Sequence, residues 1–173
     1  MATIEDLKGA LGSGPALPNR YKIIIPGTGG GGGIGGLGES GNILCQATNL
    51  PGRQLTTNPR TIGMVTQKMP YGFISDDISL QFILDGEYSV KTYFDQWQDL
   101  IIGKEKYEVA YKNTYTQDVT IQQLDKQSEE PIYGVKLLHA FPVTINPIEL
   151  GDGLTNQLSI LNVQLAYTDW QTI

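Results

Sequence analysis

An alternation of apolar and polar residues over Asp77–Leu84 is the clearest pattern in the chain. A period of two is typical of a β-strand with one buried face. The same period recurs in the last strand that we predict, Leu158–Trp170. The apolar faces of the two segments carry Ile78, Leu80, Phe82 and Leu84, and then Leu161, Val163, Leu165 and Tyr167.

One segment has the period of a helix instead. Apolar residues recur at i, i+3, i+4 and i+7 between Tyr88 and Ile102, with Ser89 as a candidate N-cap and Gly103 as a stop. We therefore predict one helix over this range, with its apolar stripe against the sheet. The predicted structural core includes Phe82, Phe94, Trp97, Val163, Leu165 and Tyr167.

Further strands are predicted where short apolar runs lie between turn signals. They are Arg20–Ile25, Ile43–Thr48, Arg53–Thr57, Glu108–Tyr111, Gln117–Leu124 and Tyr133–Ile145. We expect the first two to pair with each other in antiparallel fashion. Many strands and one helix predict a mainly β (α+β) fold, which is an antiparallel β-sandwich or partly closed β-barrel with one flanking α-helix.

The length of 173 residues fits one domain. Glycine and proline residues between positions 12 and 19 disfavour regular secondary structure. They separate an N-terminal arm, residues 1–19, from a single domain over residues 20–173. Within the arm, Ile4–Leu11 is a candidate short helix.

Ten of the fifteen residues in Gly27–Gly41 are glycine. The stretch Gly33–Gly38 matches G-x-G-x-x-G, but a dinucleotide site also needs a helix that opens at the motif. We predict another strand after it, so the pattern favours a mobile or intersubunit loop over a cofactor site. The role of this tract is left open.

The segment Asn58–Gly72 contains two prolines and two glycines, and we predict an irregular loop there. Its length exceeds that of an ordinary connection, which makes it a candidate functional loop.

Composition excludes several kinds of chemistry. With one cysteine, Cys45, and one histidine, His139, the chain cannot build a Cys/His zinc site alone. Strand alternation places both side chains on apolar faces, so we interpret Cys45 as a core residue and His139 as a core or interface residue. No nucleophile with a base is indicated, and we predict no catalytic, cofactor-binding or metal site.

The formal net charge of −6 argues against conventional DNA binding, which needs a basic surface. It is compatible with a surface that lets DNA slide past. No apolar run approaches the length of a membrane span, and the acidic start of the chain does not look like a signal peptide. We therefore expect no membrane insertion.

Three motifs, in this order, resemble the tail tube proteins of contractile-tailed bacteriophages. They are the strand and turn Cys45–Gly52, the helix segment Phe94–Trp97 directly after an amphipathic strand, and the terminal strand Asn162–Tyr167 with Asp169 and Trp170 at its end. The resemblance covers about residues 19–171. It implies a β-barrel-like subunit with a flanking helix.

The family resemblance also implies a function. Six subunits form a ring, rings stack into the inner tube, and the genome passes through the lumen without specific binding. The implied partners are copies of the chain, the tail sheath and baseplate proteins, in a virion assembled in the host bacterial cytoplasm. The candidate loop falls where the family contacts the neighbouring ring, which gives the inter-ring candidates Arg60, Ile62, Met64, Val65, Lys68 and Met69.

Alternatives remain open at this stage. The chain could be a baseplate-proximal ring that initiates the tube, or the inner tube protein of a contractile injection or type VI secretion system. Outside that family, the alternatives are a small-ligand-binding β-barrel, which predicts a monomer with an apolar cavity, and a hydrolase, which predicts a convergent catalytic set.

Overall fold

The computed structural model describes residues 3–12, 16–27, 34–104, 107–126, 128–153 and 157–173. Within these ranges the helices α1 to α4 span Ile4–Leu11, Gly38–Leu44, Ser89–Ile101 and Lys112–Tyr115. The strands β1 to β9 span Tyr21–Ile24, Cys45–Thr48, Gln54–Ile62, Val65–Ile74, Ile78–Ile83, Gln117–Leu124, Pro131–Ile145, Ile160–Ala166 and Asp169–Thr172.

Antiparallel strands form the body in the order β1-β6-β7-β8-β5-β2, and β9 also pairs with β7. The long strand β7 changes partner along its length. Val135–Leu138 pair with β9, and Phe141–Ile145 pair with β8. Strands β1 and β2 end the order without pairing with each other, so the antiparallel sheets are not closed into a barrel. The predicted fold class, mainly β with few helices, is confirmed.

A β-bulge marks the point where β7 changes partner. Gln117 pairs with Ala140 and Val119 with Leu137, so Asp118 faces two residues of β7. The backbone of His139 is left-handed there, with φ 54°, and its N–H donates to Asp118 Oδ1 at 3.1 Å. The extra residue reverses the alternation. His139 is therefore exposed, which corrects the core alternative and leaves the interface alternative as a prediction, while Ala140 is buried.

Helix α3 packs its apolar stripe on the sheet, as predicted. Phe94 and Trp97 are fully buried, and the Phe94 ring centre lies 5.5 Å from that of Phe82. The Trp97 indole N–H donates to the Tyr115 carbonyl at 2.7 Å, which fixes the short helix α4 against α3. Of the predicted core, Phe82, Phe94, Trp97, Val163 and Leu165 are buried, and Tyr167 is half-buried against the same cluster.

The predicted pairing of the first two strands is wrong. Strand β1 pairs with β6, and β2 pairs with β5. The seven-residue helix α2 lies between them in the chain and replaces the first part of the strand predicted over Ile43–Thr48. A helix therefore does follow the glycine-rich motif, contrary to the sequence interpretation, and residues 28–33 of the tract lie outside the described residues.

Three other local predictions need correction. Glu108–Tyr111 contributes one isolated bridge, Ile102 to Val109, instead of a strand. The last predicted strand is interrupted at residues 167–168 and forms two strands, β8 and β9. Both pair with β7, β9 before its bulge and β8 after it. Ser89 is the first helical residue and not the N-cap; its N–H donates to Asp85 Oδ1 at 2.9 Å.

The segment Asn58–Gly72 is not an irregular loop. It forms most of the hairpin of β3 and β4, whose strands pair only with each other among the described residues. Each strand of a two-stranded ribbon has a free edge, where proline loses no ladder hydrogen bond. Pro59 and Pro70 are therefore compatible with the hairpin, although they made its sequence look irregular.

Candidate assembly surfaces

The β3–β4 hairpin projects from the body. Nearly all of its residues are exposed, including large apolar side chains, which isolated soluble domains rarely expose together. Its turn has two central residues, Gly63 and Met64, with Gly63 at φ 64°. Glycine at the first central position is typical of a type II′ turn, whose twist matches that of a hairpin. Strands of nine and ten residues give the hairpin a length of about 30 Å.

The two faces of the hairpin differ in chemistry. Cross-strand partners share a face, so the register places Ile62 with Val65, Arg60 with Gln67, and Asn58 with Met69 on one side. We call this side the apolar face. The other side, the hydroxyl face, carries Thr61 and Thr66, whose Oγ1 atoms are 3.3 Å apart, as well as Pro59 and Lys68.

The strand register divides the predicted inter-ring residues between the two faces and the turn of the hairpin. The structure brings Arg60, Ile62, Val65 and Met69 together on the apolar face, with Met64 fully exposed in the turn. Lys68 lies on the hydroxyl face. Neither Arg60 nor Lys68 forms an ion pair with any of the described residues.

The root of the hairpin is held to the body by Arg53. Its guanidinium lies 4.5 Å from the ring centre of Phe73 in β4 and 5.1 Å from that of Trp170 in β9. Arg53 Nη2 also donates to Asp169 Oδ1 at 2.7 Å. Because one planar cation contacts both elements, it fixes the direction in which the hairpin leaves the sheet.

Buried polar atoms surround this junction. Ser75 Oγ, Tyr167 Oη and Trp170 Nε1 are buried and have no partner in good hydrogen-bond geometry among the described residues, although the hydroxyls of Ser75 and Tyr167 lie close to each other. Burial raises the pKa of the Tyr167 hydroxyl. Unsatisfied buried groups are costly, so the junction is less well satisfied than the core around α3.

A groove of about 500 Å³ lies at the far end of β5 and β8, away from the root of the hairpin. It is formed by the connection between β7 and β8, and Ile148, Glu149, Leu150, Leu158 and Asn162 are among its lining residues. Leu150 and Leu158 are largely exposed. Asn162 Oδ1 is buried and has no hydrogen-bond partner among the described residues.

Helix α2 bridges the gap between the terminal strands β1 and β2. Asn42 Oδ1 accepts a hydrogen bond from the Ile23 N–H at 2.9 Å, and the Tyr21 hydroxyl donates to the Cys45 carbonyl at 2.8 Å. Burial raises the pKa of Tyr21 to about 12 and that of the buried Cys45 thiol to about 11. Cys45 is therefore a core residue, as predicted, with a thiol of low reactivity.

The arm offers a further apolar surface. Thr3 and Asp6 form a capping box at the start of α1, which spans the range predicted for a short helix. Ile4, Leu7 and Leu11 are exposed along one side of this helix.

The model of the family described as phage tail tube protein matches residues 17–173. The chain belongs to the phage tail tube protein family. This membership confirms the resemblance read from the sequence and makes the chain a structural protein and not an enzyme. No curated protein sequence matches the tail tube protein significantly.

Solved structures share the fold of this tail tube protein at low sequence identity. A chain of the anti-feeding prophage baseplate, six-fold symmetrised, matches with a TM-score of 0.67 and 18% identity over 92% of this chain and 95% of that chain. A chain of the tube-terminating cap of the same particle gives 0.66 and 12% over 92% and 91%. A chain of the PVC sheath–tube complex, an extracellular contractile injection system in the extended state, gives 0.64 and 14% over 100% and 99%.

The described residues contain no group of three or more His, Cys, Asp or Glu side chains that could hold a metal ion. In the part of the chain that the structure describes, no helix is both long and apolar enough to cross a membrane.

Sequence reasoning missed two features of the candidate surfaces. The sidedness of the hairpin depends on its register, which includes a shift between Thr56 and Thr57. The groove depends on how the β7–β8 connection folds. The only signal available in the sequence was the apolar content of that connection, around Ile148, Leu150 and Leu158.

Proposed function

We propose that this chain forms hexameric rings that stack into the inner tube of a contractile phage tail, which is the conduit for genome ejection. The observation that carries this proposal is the family match over residues 17–173, in a subunit whose hairpin exposes large apolar side chains. Such a surface promotes aggregation of a monomer, whereas in an assembly it can be buried against another subunit.

Ring formation is supported by a sheet edge. Strand β9 has one partner strand among the described residues, so it leaves an edge that a neighbouring subunit can cover. The sixfold symmetry is proposed from the family and from the fold shared with a chain of a baseplate that is described as six-fold symmetrised.

The lumen wall is proposed to be the polar face of the sheet around β5 and β8. Cross-strand pairs on this face join Gln81 to Asn162 and Ser79 to Gln164, and Thr144 of β7 also pairs with Gln164. Hydroxyl and amide side chains stay hydrated without attracting phosphate. Together with the net charge of −6, this wall lets DNA pass without specific binding.

Contact between rings is assigned to the hairpin, through Arg60, Ile62, Met64, Val65, Lys68 and Met69. The arm of residues 1–19 is proposed to extend from a domain of residues 20–173, and its apolar stripe is available to other subunits. The tail sheath and baseplate are the proposed outer partners. Assembly would take place in the cytoplasm of the host bacterium, and the product is a component of the virion tail.

A baseplate-proximal ring that initiates the tube is the second candidate. The fold is as similar to the baseplate chain as to the sheath–tube chain, with TM-scores of 0.67 and 0.64, and this favours neither position. The inner tube of a contractile injection system or type VI secretion system would use the same surfaces with a different cargo.

Size-exclusion chromatography with negative-stain electron microscopy tests the proposal. Rings of six and long tubes from purified protein support a repeated tube subunit. Single rings that seed tubes of another protein support the initiator. A stable compact monomer at all concentrations would contradict both and favour the ligand-binding barrel.

A further inference from the structure

We propose that the tip of the β3–β4 hairpin of one copy docks in the β7–β8 groove of a second copy, so that subunits join head to tail. This inference rests on the proposed function and identifies the surface that receives the hairpin. The tip consists of Met64 and the apolar-face residues Arg60, Ile62 and Val65.

The two surfaces lie at opposite ends of one pair of strands. The hairpin returns to the body just before Ile78, which pairs with Leu165. The groove begins just before Ile160, which pairs with Ile83 at the other end of β5. A projection and a recess at opposite ends cannot meet within one subunit unless the hairpin folds back across the sheet.

A contact between two different surfaces, one from each copy, is a heterologous contact. Such contacts continue from copy to copy and generate open stacks, whereas a self-complementary surface closes into a dimer. The position of the two surfaces therefore fits growth of a tube along its axis. The hairpin is about 30 Å long and exposed over nearly all of its length, so its tip is available to a second copy.

Charge supports a second copy as the occupant of the groove. The hairpin, Gln54–Ile74, contains Arg60 and Lys68 and no acidic residue, so it carries a charge of +2. The whole chain carries −6, which leaves −8 on the rest. A positive hairpin and a negative body attract each other between copies and limit contact between two hairpins.

The chemistry of the groove matches that of the tip. Leu150 and Leu158 expose apolar surface that Met64 and Ile62 can cover. Glu149 offers a carboxylate to Arg60, and neither is ion-paired among the described residues.

A charge reversal tests the contact. We expect Arg60→Glu and Glu149→Arg each to raise the protein concentration needed for tube growth by about tenfold or more, because each places like charges together. The double variant should recover growth. Lys126→Glu, a matched control at an exposed site outside the hairpin and the groove, should have a much smaller effect. Circular dichroism verifies that each variant is folded.

Disulfide trapping locates the contact directly. In a Cys45→Ala background, Met64→Cys combined with Leu150→Cys should form a disulfide between subunits in tubes under mild oxidation. Met64→Cys combined with Glu130→Cys, at another exposed acidic site, should not. Tubes that trap only the Glu130 pair, or that show no recovery in the double charge variant, would overturn this inference alone. Wild-type protein that never forms rings or tubes would overturn the proposed function and this inference together.

Discussion

Arg53 and Trp170 join two parts of the molecule that belong to different sheets. The guanidinium carbon of Arg53 lies 5.1 Å from the ring centre of Trp170, and the same group contacts Phe73 at 4.5 Å. Arg53 precedes β3, whereas Trp170 lies in β9 at the end of the chain. The hairpin is therefore oriented by a side-chain contact, since no backbone ladder connects it to the body among the described residues.

Replacing Arg53 by Ala should loosen the hairpin while the body stays folded. The cation–π contacts and the partly exposed ion pair to Asp169 each contribute about 0.5–1 kcal/mol. We expect faster amide hydrogen exchange in β3, β4 and β9 with little change around α3. Arg53→Lys keeps the charge but loses the planar group, so it should give an intermediate result. Unchanged exchange at Phe73 and Trp170 in the Ala variant would contradict the orienting role.

The elements that could be predicted from the sequence are those set by local periodicity. The alternation in β5 and β8 and the helical stripe of α3 each bury their own apolar face, so their type and their core residues follow from spacing. Strand partners do not follow, because β1 reaches β6 and β2 reaches β5 across long stretches of chain. Spacing also misplaced His139, since one bulged residue reverses the alternation.

For the candidate surface, the contact between rings stays a prediction, and the geometry of the segment could not be predicted from the sequence. Arg60, Ile62, Met64 and Met69 were expected to lie in an irregular loop. Pro59, Pro70 and the glycines led to the prediction of a loop, because these residues are rare in central strands. They are acceptable in an isolated two-stranded ribbon. The division into two faces therefore became visible only with the register.

Replacing Trp97 by Ala should destabilise the subunit by about 3–5 kcal/mol, because a fully buried indole is removed and its space is not refilled. Thermal or urea unfolding measures this loss. Trp97→Phe keeps most of the packing but leaves the Tyr115 carbonyl without its 2.7 Å hydrogen bond. We expect it to cost about 1–3 kcal/mol. A melting temperature unchanged by the Ala variant would show that α3 does not anchor the core.

Gly36 should not tolerate a side chain, whereas Gly35 should. A Cβ at Gly36 would lie 2.9 Å from the Ile25 carbonyl oxygen and 2.9 Å from the Gly27 nitrogen, both backbone atoms that cannot move easily. Gly36→Ala is therefore expected to cost about 1–3 kcal/mol. A Cβ at Gly35 meets nothing within 4 Å, so Gly35→Ala should be neutral or stabilising by about 0.4–1 kcal/mol. Equal unfolding free energies for the two variants would show that this part of the tract is not closely packed.

The Cys45 thiol should react slowly in the folded subunit. Burial raises its pKa from 9.0 to about 11, so the thiolate fraction at pH 8 is about a hundredfold smaller than for an unperturbed thiol. Labelling with a thiol reagent at pH 8 should be at least that much slower than in urea-unfolded protein. Comparable rates in both states would mean that the junction of α2 and β2 opens readily.

The same junction should weaken the fold at alkaline pH. The pKa values of Cys45 and Tyr21 are higher in the folded state, about 11 and about 12, than their ordinary values of 9.0 and 10.0. The stability linked to these groups is therefore fully present below about pH 9 and is lost as the pH rises toward 12. Unfolding free energy measured across this range should fall. Tyr21→Phe should reduce the decrease between pH 10 and 12.

Shortening the hairpin separates folding from assembly. In the proposed variant, a short Gly/Ser linker replaces Arg60–Lys68, which removes the turn and most of the apolar face while keeping Arg53 and Phe73 at the root. Since the removed residues are exposed and pair only within the hairpin, we expect near-normal circular dichroism and a melting temperature close to that of the wild type. Growth into tubes should be lost, because the proposed contact between rings buries these side chains.

The outcome distinguishes the hairpin as an assembly arm from the hairpin as part of the core. A molten or unfolded product would mean that Ile62, Val65 and Met69 pack on their own subunit in solution, which their exposure argues against. Long tubes from the shortened protein would show that rings stack through other surfaces, of which the α1 stripe is then the strongest candidate. Folded single rings that fail to stack would separate the two steps, since they require the sheet edges to close a ring without the hairpin that joins one ring to the next.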